Sequence, residues 1–137
     1  MTPDLSSWLL SDEGPIAADE RTARAASPGP WAVEAKGSPP PYLLTSVDRH
    51  TGTPSGDVPR HADAVHIAMW HPGRVLAECA AKRAIVEAYR AELAMDYLRE
   101  RDGHPHGPAT PYLAGVVRIL SRPYAGRPGW REEWGTS

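Results

Sequence analysis

Four residues in the middle of the chain, His61, Asp63, His66 and His71, are of the types that hold a divalent metal, and their spacing decides what they can do. Imidazole nitrogens with a carboxylate suit zinc, which would activate a bound water for hydrolysis. Two ligands on one helix must sit three or four residues apart to face the same way. His61, His66 and His71 are five apart, a step of about 140° around an ideal helix, so only Asp63 and His66 share a face. The competing reading needs no metal: Asp63 or His61 caps a helix, and His66 packs against a sheet and donates one hydrogen bond. The spacing favours this second reading over a metal-dependent enzyme, and no cofactor is expected.

Two further groups invite a chemical reading. Arg118, Arg122, Arg127 and Arg131 form a basic strip interleaved with Tyr124, Trp130 and Trp134, which is the composition of a platform for single-stranded nucleic acid. Glu132 and Glu133 interrupt the strip, and arginines stacked on indoles are common without any ligand. Cys79 falls on the apolar stripe of a helix with no base in view, so it reads as a small core filler rather than a nucleophile. His104 and His106 lie in a Gly/Pro loop. The chain carries no phosphate-cradling glycine loop, nucleophile elbow or paired-cysteine motif.

Composition narrows the function classes. A length of 137 residues suits one domain, 1–137. There is no Phe, so 5 Trp and 5 Tyr supply every aromatic contact, and rings with polar tips predict a thin core near solvent. The formal net charge of −2 gives no overall attraction to nucleic acid or to an anionic membrane. A single cysteine excludes an intramolecular disulfide, and no apolar run approaches the ~18 residues of a membrane span. A cytoplasmic protein without a leader is expected.

The elements that would position these groups follow from periodicity and punctuation. Residues 3–26 read as helix, with Leu5, Trp8, Leu9, Ile16, Ala23 and Ala26 at three- and four-residue steps, broken at Gly14-Pro15. Ser27-Pro28-Gly29-Pro30-Trp31 stops any helix, because two prolines remove donors and Gly29 is free to take dihedrals closed to other residues. Short strands are predicted within 30–47, at Trp31-Ala32-Val33-Glu34-Ala35 and Tyr42-Leu43-Leu44-Thr45-Ser46-Val47. A Gly/Pro loop covers 48–60, and helices cover 62–101, with Pro72 opening the longest. Its stripe of Val75, Cys79, Lys82, Val86, Tyr89 and Leu93 has 4-3 spacing and continues to Tyr97. A last helix at 111–121 precedes an aromatic tail, 123–137, whose rings are expected to turn inward. The fold class is α+β and mainly helical: an N-terminal helix, a short antiparallel hairpin or small sheet, a long helix, a C-terminal helix and the tail.

Three segments carry a resemblance. The first runs from Asp19-Glu20 through Ala23-Arg24-Ala25-Ala26 to Ser27-Pro28-Gly29-Pro30-Trp31. The second is His66-Ile67-Ala68 with Pro72, Arg74-Val75-Leu76-Ala77-Glu78 and Lys82-Arg83. The third is Leu120, Pro123-Tyr124-Ala125, Pro128-Gly129 and Arg131-Glu132-Glu133-Trp134. In order and spacing they resemble small uncharacterised proteins of actinobacteria and their phages that share a domain of unknown function. A looser similarity links the Pro-Gly-Pro-Trp and His-Ile-Ala segments to phage proteins with a short sheet followed by a helix or coiled coil. Neither implies an activity. Where the resembled family usually has Asp before the proline of the second segment this chain has His71, and in place of Asp-His after Pro-Tyr-Ala it has Gly126-Arg127. An acid–base or metal site at those family positions would be incomplete here.

These observations point away from catalysis and toward binding. Exposed amphipathic rings are what interfaces select, so Tyr89, Leu93, Tyr97, Trp130 and Trp134 are the expected interaction residues. The expected partner is another protein or a second copy of the chain, with no membrane; the alternatives are a metal-dependent enzyme using the His/Asp cluster and a binder of single-stranded nucleic acid through the Arg/Trp strip.

Overall fold

The computed structural model describes residues 4–27, 29–35, 42–46 and 57–136. In chain order it has α1 (Leu5–Leu10), α2 (Pro15–Ala25), β1 (Trp31–Ala35), β2 (Tyr42–Ser46), β3 (Asp57–Val58), α3 (His61–Met69), α4 (Pro72–Arg101) and α5 (Ala109–Ser121). Two 3-10 turns follow, Arg122–Tyr124 and Glu132–Trp134. The protein is mainly helical α+β. The chain divides into two compact units, Asp19–Cys79 and a second made of Met1–Ala18 with Ala80–Ser137.

In the Asp19–Cys79 unit the strands form an antiparallel sheet in the order β1-β2-β3. Trp31 pairs with Ser46, Val33 with Leu44 and Ala35 with Tyr42, and Tyr42 pairs on its other side with Val58. Asp57–Val58 thus adds an edge strand to a stretch whose glycines and prolines read as loop; Val47 and residues 48–56 lie outside the described residues. Helix α3 lies on this sheet. Ala64 and Ala68, one turn apart, are buried, and Trp31, Val33 and Val58 pack on them half-buried. Alanines leave room for the backbone of a helix to approach a sheet, but each buries little apolar area, so this core is thin. The Trp31 indole N–H donates to the Ser27 carbonyl at 3.0 Å, fixing the ring at the strand entrance.

Gly29 earns its place by space rather than by dihedral freedom. It is not among the glycines with positive φ. A Cβ at residue 29 would stand 2.7 Å from Nδ1 of His71, a distance that real Cβ atoms do not tolerate.

The other unit has larger buried side chains. Asp4 starts α1 as its N-cap, its Oδ1 accepting from the Ser7 N–H at 2.8 Å and from the Ser6 hydroxyl at 2.7 Å. Partial burial pushes the Asp4 carboxyl up, but the bonds from Ser7 and Ser6 and the charge of Arg90 outweigh it and leave the group below its ordinary value. After α1 the chain turns at Gly14, where any Cβ would collide with the Trp8 carbonyl, and Pro15 opens α2 as its first residue. Trp8 and Leu9 of α1, Val86 of α4, Val117 of α5 and Tyr124 of the first 3-10 turn are all buried.

Candidate functional site

The tail carries its rings inward. Trp8 meets Trp134 at 5.1 Å between centroids and Trp130 at 5.8 Å, and the latter two meet edge-on at 5.7 Å. The Trp8 indole N–H donates to the Pro128 carbonyl at 3.2 Å, satisfying the polar tip that burial would otherwise leave unpaired. Gly129, at φ +86°, passes directly under that indole, and only glycine meets both the dihedral and the space. Tyr124 is 1 % exposed; its hydroxyl bonds Lys82 Nζ at 3.0 Å while the Lys82 ammonium stands 4.9 Å from the ring centroid. Lys82 therefore belongs on the inner stripe of α4, with its ammonium donating to the Tyr124 hydroxyl.

The same closure builds a groove of about 390 Å³. Its walls are Asp4, Leu5 and Ser6 of α1, Tyr89 and Leu93 of α4, Ala114, Val117 and Arg118 of α5, and Glu133 and Trp134 of the tail. Aliphatic surface from Leu5, Leu93, Ala114 and Val117 is flanked by two aromatic rings, with Asp4, Glu133 and Arg118 supplying both signs of charge. Such a lining accepts an apolar side chain and orients polar groups beside it. The hydroxyl and carboxylate that pair in its lining, Ser6 and Asp4, form the N-cap of α1. The Asp4 carboxylate is already committed to Ser6 and Ser7.

Three of the five expected interaction residues, Tyr89, Leu93 and Trp134, come together here. Trp130 is half-buried behind them, in the indole cluster. Tyr97 does not line the groove; it is 69 % exposed. The residue that continues the inner face of α4 is Asp96, 4 % exposed. Its carboxylate accepts from the Thr110 hydroxyl at 2.5 Å, the Gly107 N–H at 2.7 Å and Arg99 Nη1 at 2.6 Å. The bond from Thr110, then that from Gly107 and the Arg99 charge, hold the group down at about 2 against an ordinary 3.8, despite the opposing pull of burial. Pro108, at the N-cap position of α5, provides no side-chain cap. Asp96 does that work from the preceding helix, pinning the connection from Gly107 to Thr110. The signal was present in the spacing: the 4-3 rhythm that ends Tyr89, Leu93 lands next on residue 96.

The histidines are scattered. His61, Asp63 and His66 are exposed along α3, and His71 is half-buried beside Gly29 with its Nδ1 buried and unpaired. His66 thus does not pack on the sheet; its ring stands 6.5 Å from that of Trp70. The N-cap of α3 is Arg60 without a side-chain bond, and Asp63 lies in the first turn, where its charge favours the helix dipole. Among the described residues no group of three or more His, Cys, Asp or Glu side chains is gathered to hold a metal. Cys79 is buried and forms no disulfide. In the basic strip, Tyr124, Trp130 and Trp134 are engaged with Lys82 and Trp8, Arg131 pairs with Glu133, and Arg127 lies over Tyr124 at 5.5 Å. These rings pack on one another and on Lys82.

The family model described as a family of unknown function, DUF6221, matches residues 3–136. The chain belongs to this family. The DUF6221 match spans every element from α1 to the second 3-10 turn, so it takes in the groove, the indole cluster and the Asp96 clamp. No curated protein and no solved structure matches this DUF6221 chain. No described helix is long and apolar enough to cross a membrane.

Proposed function

We propose that this DUF6221 protein is a non-catalytic binding module and that the groove between α1, α4, α5 and the tail receives a partner protein. The carrying observation is convergence: Tyr89, Leu93 and Trp134, from distant parts of the chain, line one apolar depression with Asp4, Glu133 and Arg118 around it. That is the anatomy of a hot spot, an apolar centre ringed by polar groups. The extent of the family match, 3–136, supports treating the chain as one domain, and its single cysteine supports a cytoplasmic setting. An actinobacterial or phage context is what the three sequence segments imply.

A photo-crosslinking amino acid in place of Leu93 tests this in cells. The expected result is a discrete protein adduct that disappears when Ala114→Trp fills the groove and that the same probe at Glu100 does not form. Adducts that survive Ala114→Trp, or that appear equally from position 100, would overturn the assignment.

A further inference from the structure

Helix α4 has a second face that the fold leaves uncovered. Ala81, Ala84, Ala88, Ala91, Met95 and Leu98 follow one another at 3-4-3-4-3 spacing, the rhythm of a coiled-coil seam, over 18 residues or about 27 Å. All six are exposed, Met95 at 46 % and Leu98 at 39 %. The seam is centred roughly opposite Val86, which is completely buried on the inner face. An amphipathic surface helix ordinarily turns charge to solvent on this side; here it turns alanines, a methionine and a leucine.

Charge says what covers it. Along the stretch from Ala88 to Leu98 the charged flanking positions are Glu87 and Glu92 toward its N-terminal end and Arg99 and Arg101 just past its C-terminal end. Two copies laid parallel would set acid beside acid and base beside base. Laid antiparallel about a two-fold axis near the middle of Ala88–Leu98, the acidic end of each stretch meets the basic end of the other, and the same patch is used twice. Arg99 is held in place within its own chain by Asp96, with Glu92 at 3.7 Å, so the flank is preorganised. The alanines let two helix axes approach to about 8 Å, the short end of helix packing distances. We infer that a second copy of this chain docks on the exposed face of α4, antiparallel, through Ala88, Ala91, Met95 and Leu98. This surface is separate from the groove, whose α4 residues are Tyr89 and Leu93.

Sedimentation equilibrium of the full chain reads it directly. The expected result at about 100 μM and low salt is a dimer, weakened as salt is raised from about 50 to 500 mM. Met95→Glu with Leu98→Glu, both at exposed positions, should weaken association on the order of a hundredfold, because paired seams would then bury facing carboxylates. Glu87→Arg with Glu92→Arg, which makes the flank all basic, should also dissociate it, while Leu93→Glu, in the groove, should leave it intact. Circular dichroism confirms that each variant keeps its helices. A strict monomer, or a dimer indifferent to the Met95/Leu98 pair, would overturn the inference, and a dimer lost with that pair but unmoved by the Glu87/Glu92 reversal would overturn the antiparallel arrangement.

Discussion

The two units solve the same problem, a core without phenylalanine, in opposite ways. The Asp19–Cys79 unit buries small residues, Ala64 and Ala68, and lets Trp31, Val33 and Val58 cover them from a half-exposed position. The other unit buries Trp8, Leu9, Val117 and Tyr124 and gives each polar tip a partner, the Trp8 N–H donating to the Pro128 carbonyl and the Tyr124 hydroxyl accepting from Lys82. Apolar area removed from water sets the stabilisation, so the second arrangement is the stronger anchor and the first the weaker. An indole can enter a core only where a carbonyl is placed to meet it. This chain has such a carbonyl for Trp8 through a positive-φ glycine that brings residues 128 and 129 under the ring.

Truncation measures that contrast. Trp8→Ala removes the ring that both Trp130 and Trp134 contact, and should cost about 3 to 5 kcal/mol in urea unfolding, with aggregation if the parent is marginal. Trp31→Ala removes a half-buried ring and should cost less, about 1 to 3 kcal/mol. Equal losses, or a larger one for Trp31, would break the comparison.

The Asp96 clamp sharpens it through pH. The folded-state pKa is lowered, so the stability it contributes is present above the unfolded value of 3.8 and is lost as pH falls toward about 2. Asp96→Asn should therefore be less stable than the parent at neutral pH, and the gap between them should close across that window. A gap that persists at pH about 2 would mean that the carboxylate charge is not what holds Gly107 and Thr110.

The smallest expected effect is none. Added zinc or a chelator should leave the melting temperature unchanged, because His61, Asp63 and His66 stand exposed and ungathered on the weaker unit. One zinc per chain by elemental analysis, lost on His66→Ala, would reverse that reading.

Much of this architecture could be read from residue types. Gly14-Pro15 announced the break between α1 and α2, Pro72 the start of α4, and the aromatic tail its inward turn. Alternation along Trp31–Ala35 marked a strand because period two is strict. Asp96 stayed hidden because a hydrophobic pattern passes over a carboxylate and prefers Tyr97, although the carboxylate is the buried one. Its partners lie 11 and 14 residues away in a Gly/Pro connection, and periodicity carries no information about where that connection returns. The edge strand at Asp57–Val58 was missed for a related reason: two residues are too short for a pattern, and pairing with β2 alone defines them. For the groove, the sequence supplied Tyr89, Leu93 and Trp134 as types, while Leu5, Ala114 and Val117 are ordinary until the walls meet.

The hydrogen bond from Trp8 to Pro128 joins residues 120 positions apart. A ribosome emits the chain in order, at roughly 5 to 20 residues per second. Residues 19–79 are therefore all outside, free to pair strands and seat α3, well before the glycine that must slide under Trp8 has been made. Until then the Trp8 ring has neither its carbonyl nor its two aromatic neighbours, and it is exposed apolar surface during synthesis. The stronger of the two cores is thus the later one to close, since the last residue of the weaker unit, Cys79, is made well ahead of Gly129.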